Sequence, residues 1–250
     1  MLLHMNLIIL HPEEVNAEGL AVLTDERAQH IRKVLNAEPG KLLRIGLLNE
    51  ALGTATVLAV DHKEVVLLCR CDTAAPPRPQ IDLILAMPRP KVLKRLWAQL
   101  AALGVGRIVL LRADKVERYY FDSHVLDPDF YNKLLIEGLQ QARCTQLPEV
   151  FIRPRFKPFI EDELDNLFPN QCKLLADPSG DKRLDDFFQN MEKPEHIVLA
   201  VGSEGGWTSY ELDQLQAHGF KLFGMGKRIL RTDTATIGLI SVLAEKLQGR

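Results

Sequence analysis

The pattern of hydrophobic and polar positions changes its period once along the chain. In the first seventy residues, short apolar runs alternate with polar turns, which predicts strands over residues 6–10, 41–48, 53–60 and 64–71. One short helix interrupts them, with Thr24 as its predicted N-cap and Asp25 and Glu26 in its first turn. Together these elements predict a small β-barrel or meander built from antiparallel hairpins.

The remainder of the chain alternates strands with helices. Residues 81–86 are a continuous apolar run, and Pro90 opens a segment with apolar residues at helical spacing, which Gly104 closes. Further strands are predicted over 108–111, 173–176, 196–201 and 220–223, and further helices over 127–143, from Thr208 to Gly219, and over 232–248. Unalternated apolar strands separated by helices predict an α/β domain with a mostly parallel sheet covered on both faces.

Three prolines in the segment 74–80 mark the boundary between these two patterns. Proline lacks a backbone donor and favours an extended connector. The sequence therefore predicts an N-terminal domain over residues 1–73, a linker over 74–80 and a C-terminal domain over 81–250.

Composition narrows the class of protein. The chain has 46% hydrophobic and 26% charged residues and a net charge of −2, values typical of a globular protein. Its apolar runs are shorter than the ~20 residues that a membrane-spanning helix needs, and its apolar start lacks a basic leader. Four scattered cysteines do not make a disulfide framework or a metal site. We therefore expect a cytoplasmic protein that binds neither membrane nor metal.

The charge is distributed unevenly along the chain. Between Arg78 and Arg118 there are nine basic and three acidic residues, and a second basic cluster comprises Arg27, Arg32, Lys33, Lys41 and Arg44. Local patches of this kind favour contact with phosphates. They are equally typical of the solvated faces of ordinary helices.

Two glycine-centred turns follow two successive predicted strands, Gly202–Gly206 and Gly224–Gly226. A dinucleotide fingerprint is excluded, because Ile229 stands where its third glycine should be and no later strand supplies a ribose-binding acid. Neither turn has the Lys-Ser/Thr of a phosphate-binding P-loop. Turns at adjacent strand ends would form a pocket lined by backbone groups, which suits an uncharged adenine and ribose. The alternative is a pair of purely structural turns.

The residues of these turns resemble a known family. The run Val-Gly-Ser-Glu-Gly-Gly over 201–206 and the run Met-Gly-Lys-Arg-Ile-Leu-Arg-Thr-Asp-Thr-Ala over 225–235 are similar to the C-terminal motifs of the ribosomal RNA small subunit methyltransferase E family. Shorter similarities over 27–30, 86–88, 103–105 and 148–150 extend the resemblance along the whole chain. The resemblance implies a PUA-like RNA-binding barrel, a SPOUT-type α/β methyltransferase domain with a C-terminal trefoil knot, and a homodimer. It also implies that S-adenosylmethionine is the methyl donor and that N3 of a uridine in the 16S rRNA of the small ribosomal subunit is the acceptor.

The resemblance also implies roles for individual residues. The implied donor contacts are Ala176, Asp177, Gly202, Glu204, Gly205, Met225, Gly226, Ile229, Leu230, Arg231, Thr232 and Ala235. For catalysis the candidates are Arg231 and Arg228, which would stabilise negative charge on the uracil oxygens, and Glu204, which would accept a proton or orient its loop. RNA would be held by Arg27, His30, Arg32 and Lys33 of the barrel and by Arg89, Lys91, Lys94 and Arg95.

The chain departs from the family pattern mainly outside the donor motifs. Ser203 replaces a proline, Ala102 a glutamate and Asn36 an arginine, and the segment Gln140–Cys144 loses an acid and a serine. Two alternatives therefore remain open beside uridine-N3 methylation. One is a non-catalytic RNA-binding or ribosome-assembly factor that retains the fold, and the other is a methyltransferase that acts on a different RNA.

Overall fold

The computed structural model describes residues 7–77, 80–189 and 194–248. The chain divides into two compact units, residues 1–78 with 136–147 and residues 79–135 with 148–250. Asn6, at the start of the first predicted strand, and Arg78 and Pro79 of the predicted linker lie outside the described residues.

The first unit contains an open five-stranded sheet, curled into a half-barrel, and a helix whose apolar side chains share the core of the sheet. Its elements are β1 (Ile8–Leu10), β2 (Leu20–Leu23), α1 (Glu26–Lys33), β3 (Leu42–Leu47), β4 (Leu52–Val60) and β5 (Val65–Thr73). The strand order is β1-β3-β4-β5-β2, in which β1 is parallel to β3 and the other neighbours are antiparallel. The core is built from apolar side chains of the sheet and the helix, among them Leu10, Leu23, Ile31 and Leu67.

Helix α1 begins one residue later than the sequence predicts. Its N-cap is Asp25, not Thr24, because the Asp25 carboxylate accepts a hydrogen bond from the backbone N–H of Arg27 at 2.9 Å. The sequence pattern also misses β2, which is four residues long and pairs with β5 along one side only.

Residues 136–147 belong to the first unit, whereas the sequence-based boundaries place them in the C-terminal domain. The backbone N–H of Leu7 donates to the carbonyl of Gln140 at 3.1 Å, and that of Asn49 donates to the carbonyl of Thr145 at 2.7 Å. The buried Thr145 hydroxyl donates in turn to the carbonyl of Glu50 at 2.6 Å. These bonds join segments 95 or more residues apart in sequence, a separation that periodicity does not reveal.

The second unit is built on a six-stranded, fully parallel sheet, whose strands are β6 (Ile81–Ala86), β7 (Val105–Leu111), β8 (Glu149–Arg153), β9 (Cys172–Ala176), β10 (Ile197–Val201) and β11 (Lys221–Phe223). The strand order is β11-β9-β10-β6-β7-β8. The central strands β6 and β10 are buried along their whole length, which explains why their residues are apolar apart from Asp82, whose carboxylate accepts a hydrogen bond from the backbone N–H of Arg107 at 2.8 Å. The helices are α2 (Pro90–Ala102), α3 (Pro128–Ala142, whose last residues belong to the first unit), α4 (Phe156–Pro158), α5 (Leu164–Leu167), α6 (Leu184–Phe188), α7 (Ser209–Ala217) and α8 (Thr232–Gln248).

Two backbone segments of the second unit approach each other closely beyond β9 and β11. A Cβ placed on Gly224 would lie 2.4 Å from the carbonyl oxygen of Gly180, and a Cβ on Gly180 would lie 2.3 Å from the backbone of Phe223. Glycine is therefore required at both positions for these segments to pass. The trefoil knot that the family resemblance implies for this region stays a prediction.

Candidate functional site

A cavity of about 350 Å³ lies in the second unit, where the carboxyl ends of β9, β10 and β11 meet. Ligands of open parallel sheets bind at this edge, because the loops that follow the strands gather there. The cavity is lined by Ala176, Asp177, Pro178, Val201, Gly202, Ser203, Glu204, Gly206, Met225, Gly226, Arg228, Ile229, Leu230, Arg231, Thr232, Ala235 and Leu239.

The structure brings together eleven of the twelve residues that the resemblance implies for donor contact. Gly205 is the exception: it lies in the loop after β10, where a Cβ would come 3.0 Å from the Lys115 side chain. Five lining residues were not among the implied donor contacts or catalytic candidates, although two of them belong to the first glycine turn: Pro178, Val201, Ser203, Gly206 and Leu239. Leu239 could have been found from helical spacing, since it lies four residues after Ala235 on the same face of α8.

The two glycine turns adopt backbone conformations that other residues rarely take. Gly206 has a φ of +67° and Gly226 a φ of +101°, and a Cβ on either would meet open space. A side chain would fit at both positions, so glycine is required there because of the positive φ of the backbone and not because of steric crowding. Both glycines line the cavity, so main-chain atoms form part of its wall.

Two polar side chains of the loop after β10 are buried without a hydrogen-bond partner among the described residues. They are the hydroxyl of Ser203 and the indole N–H of Trp207, the latter 3.2 Å from where a Cβ on Gly202 would lie. Buried polar groups in proteins are nearly always paired. Their presence beside the cavity indicates a place where a polar partner is accommodated.

The same loop is fixed at both ends by carboxylates. Glu204 accepts a hydrogen bond from the backbone N–H of Arg89, the N-cap residue of α2, at 3.2 Å. Beyond the loop, the buried carboxylate of Glu211 accepts from the backbone N–H and hydroxyl of Thr208 at 2.8 and 2.9 Å and from the backbone N–H of Asp114 at 2.7 Å. The bonds between Thr208 and Glu211 form the predicted capping box. The bond from Asp114 attaches α7 to the segment after β7.

The two candidate catalytic arginines lie at the rim of the cavity. Arg228 and Arg231 are both exposed, and 75% of the Arg231 side chain is accessible to solvent. Arg231 Nε lies 3.8 Å from Asp233 Oδ1. Its guanidinium is therefore positioned by α8 and still open to a ligand at the rim.

The basic residues of the second unit differ in their availability. Arg95 pairs with Asp233, with Nη2 3.0 Å from Oδ2, and Lys94 Nζ lies 5.6 Å from the centroid of the Phe130 ring. Arg89 and Lys91 are exposed at the start of α2. All four basic residues lie on α2 or at its start, but only Arg89 and Lys91 present side chains that are not engaged by Asp233 or Phe130.

In the first unit, Arg27 is engaged within the protein. Its five guanidinium N–H groups donate to Asp25, Glu14 and the carbonyl of Ile9, with Nη1 2.7 Å from Glu14 Oε2. This network raises the pKa of Arg27 further and holds the pKa of Glu14 below its ordinary value. In this conformation Arg27 stabilises the fold and has no donor left for a phosphate.

The other implied RNA contacts of this unit are more accessible. Arg32 donates one bond, from Nη1 to the carbonyl of Asp61 at 2.8 Å, and Lys33 is exposed. His30 is half-buried at the same end of α1.

In the described ranges, no helix is long and apolar enough to cross a membrane. The same residues include no group of three or more His, Cys, Asp or Glu side chains that could hold a metal ion. All four cysteines are free thiols, and burial raises the pKa of Cys69 to about 11.

Several known proteins are similar to this chain in sequence and in fold. The RNA methyltransferase domain family matches residues 75–244. The ribosomal RNA small subunit methyltransferase E of Treponema pallidum is 31% identical over 246 residues, covering 96% of this chain and 90% of that protein. The corresponding protein of Borreliella burgdorferi, methyltransferase E 1, is 27% identical, covering 97% of this chain and 99% of its own length.

Two solved structures show the same fold. A methyltransferase of Legionella pneumophila in complex with the cofactor SAM has a TM-score of 0.78 at 24% identity, covering 96% of this chain and 97% of that chain. The ribosomal RNA small subunit methyltransferase E of Neisseria gonorrhoeae bound to S-adenosyl methionine has a TM-score of 0.77 at 22% identity, with the same coverage. The resemblance seen in the two glycine turns is thereby confirmed, and this chain belongs to the ribosomal RNA small subunit methyltransferase E family.

Proposed function

We propose that this protein binds S-adenosylmethionine in the cavity at the ends of β9, β10 and β11 and transfers the methyl group to N3 of a uridine in 16S rRNA. The observation that carries the proposal is the convergence of both family motifs, 201–206 and 225–235, on that one cavity. The names of the relatives support a small-subunit rRNA substrate. Two structures of the same fold hold S-adenosylmethionine.

The cavity fits such a ligand. Its volume of about 350 Å³ is within the ~300–1,000 Å³ common for small-molecule sites. Met225 and Leu239 offer apolar surface, and the glycine turns present backbone groups that suit an adenosine. Ser203 stands in the cavity lining with a hydroxyl that lacks a partner within the described part of the protein, and the unpaired Trp207 N–H lies behind it, next to Gly202.

The chemistry asks for positioning and charge stabilisation more than for a strong base. S-adenosylmethionine, when bound, supplies an electrophilic methyl group on a sulfonium. Uridine N3 must lose its proton, so negative charge develops on the neighbouring carbonyl oxygens. The exposed guanidinium groups of Arg231 and Arg228 at the rim would stabilise that charge. We assign Glu204 chiefly to holding the loop, since one of its oxygens already accepts from Arg89; its other oxygen would be the proton acceptor.

We also propose that the first unit is a PUA-like RNA-binding domain, that the second unit is a SPOUT-type methyltransferase domain, and that two copies associate. Ile229 is 85% exposed at the rim of the cavity, and Met225 and Leu230 are also exposed there. A partner copy that covered these side chains would bury apolar surface. Light scattering should then show a dimer for the native chain and a monomer for Ile229→Asp.

The function is tested by two measurements. Calorimetric titration should show that the purified protein binds S-adenosylmethionine, and nucleoside mass spectrometry should show N3-methyluridine missing from the 16S rRNA of a deletion strain. Absence of binding at millimolar donor would instead support an RNA-binding or assembly factor. Donor binding with unchanged 16S rRNA would indicate that a different RNA is the substrate.

A further inference from the structure

A second cavity, of about 640 Å³, lies at the same edge of the parallel sheet, beyond the ends of β7 and β8. Three basic side chains line it, Arg112, Arg118 and Lys157, together with two aromatic ones, Phe156 and Tyr210. We call these five residues the basic–aromatic cleft. None of them is among the residues that the family resemblance implies for donor or RNA contact.

The cations of the cleft are largely available to a ligand. In the described part of the chain, Arg112 and Arg118 pair with no carboxylate, and Lys157 has only an exposed contact, 3.6 Å from Glu161. The one buried carboxylate of the lining, Glu211, accepts three hydrogen bonds from Thr208 and Asp114 and forms no ion pair with these cations, although its charge offsets one of them. The exposed Asp114 is the remaining acid, which leaves the cleft positive.

The aromatic side chains form an accessible platform. The Phe156 and Tyr210 rings lie 6.4 Å apart at an angle of 58°, and Phe156 is also 6.4 Å from Trp207. Trp207 is buried, whereas 52% of Tyr210 is exposed. An exposed ring supported by aromatic neighbours is the arrangement on which nucleobases stack.

The cleft is connected to the candidate donor site through one loop. Thr208 lines the second cavity, and the loop that leads to it contributes Gly202, Ser203, Glu204 and Gly206 to the lining of the first cavity. Lys115, beside the cleft, donates to the carbonyl of Trp207 at 3.0 Å and packs its side chain against Gly205. One extended ligand could therefore follow the sheet edge from one cavity to the other.

We propose that the basic–aromatic cleft binds the single-stranded RNA that flanks the target nucleotide, with Tyr210 stacking on a base and Arg112, Arg118 and Lys157 contacting phosphates. Cations interleaved with aromatic rings are the usual composition of single-strand binding sites. A duplex offers no free base faces for such a platform. This inference rests on the proposed function, since it takes RNA to be the substrate.

The test uses the full chain and a fluorescein-labelled, seven-nucleotide single-stranded RNA, with anisotropy measured from 50 to 200 mM salt. Tyr210→Ala should weaken binding about fivefold to a hundredfold, and Tyr210→Phe should restore it. The double variant Arg112→Gln with Lys157→Gln should reduce the slope of log K against log salt by roughly 0.7 for each lost phosphate contact. Lys133→Gln, an exposed cation on α3 outside the cleft, is the matched control and should bind like the native chain.

RNA binding that is the same in the cleft variants as in Lys133→Gln would overturn the proposal and leave the cleft to a protein partner. The proposed function fails separately, in the calorimetric titration of S-adenosylmethionine with the native chain. The cleft variants should retain native donor affinity, because none of the substituted residues lines the first cavity. A parallel loss of donor affinity would indicate a general structural defect and would also contradict the assignment.

Discussion

Arg95 on α2 and Asp233 in the first turn of α8 form an ion pair, with Nη2 3.0 Å from Oδ2. The other carboxylate oxygen lies 3.8 Å from Nε of Arg231, so Asp233 stands between two arginines of different elements. Arg95 is thereby partly neutralised, and Arg231 is oriented at the rim of the cavity. Of the two, Arg231 is the one left to act on a bound substrate.

We expect Arg231→Ala to slow methyl transfer by about tenfold to a hundredfold, because a charge that stabilises the uracil oxygens is lost. The effect should fall at or below the low end of the ~10²–10³ seen for oxyanion donors, since Arg231 is exposed. Lys227→Ala, an exposed cation of the same loop that does not line the cavity, is the matched control. Single-turnover rates measure the effect, and unchanged rate together with unchanged donor affinity would exclude an electrostatic role.

Replacement of Gly226 separates backbone strain from ligand binding. Gly226→Ala and Gly104→Ala both place a Cβ at positive φ, +101° and +74°, and both Cβ atoms meet open space. Each should cost about 1–3 kcal/mol of folding free energy and lower Tm by several degrees. Only Gly226→Ala should also weaken S-adenosylmethionine binding in calorimetry. Equal donor affinity in the two variants would remove the turn from the donor site.

RNA affinity should depend on the exposed cations and not on Arg27. We expect Lys33→Gln and Lys91→Gln each to reduce the salt dependence of RNA binding by about one phosphate contact. Arg27→Gln should leave that slope unchanged, because all five of its guanidinium N–H groups are engaged within the protein. A slope that falls as much for Arg27→Gln as for Lys33→Gln would show that the network opens to bind RNA.

The pair Glu14–Arg27 predicts a specific acid sensitivity. The Arg27 hydrogen bond holds the pKa of Glu14 below its ordinary 4.5 in the folded state. The stabilisation is therefore fully present above pH 4.5 and is lost as the pH falls through the lower folded pKa. Glu14→Gln should cost about 1 kcal/mol at pH 7, a modest value because solvent screens the pair, and should lessen the loss of stability in acid. Urea unfolding at pH 7 and at pH 3 measures both, and an equal pH dependence in the variant would contradict the assignment.

The strength of the local signal decided which elements could be predicted. The buried strand β6 and the helix α8 have the predicted bounds, because a run that is apolar except for Asp82 and a helical repeat are each properties of one segment. β8 was missed since it lies at the edge of the sheet, where its half-exposed side chains do not form an apolar run. β2 was missed because only four residues pair.

By itself the sequence determined the alternation of elements, the two glycine turns and the motif residues around them, all of which are encoded within short stretches of chain. Only the tertiary structure decided that 136–147 joins the first unit, that Arg27 is engaged by Glu14, and that the loop after β10 connects two cavities. Each of these depends on contacts between residues far apart in sequence or between neighbouring loops. Such contacts are set by strand order and packing, which the hydrophobic periodicity of a single segment does not predict.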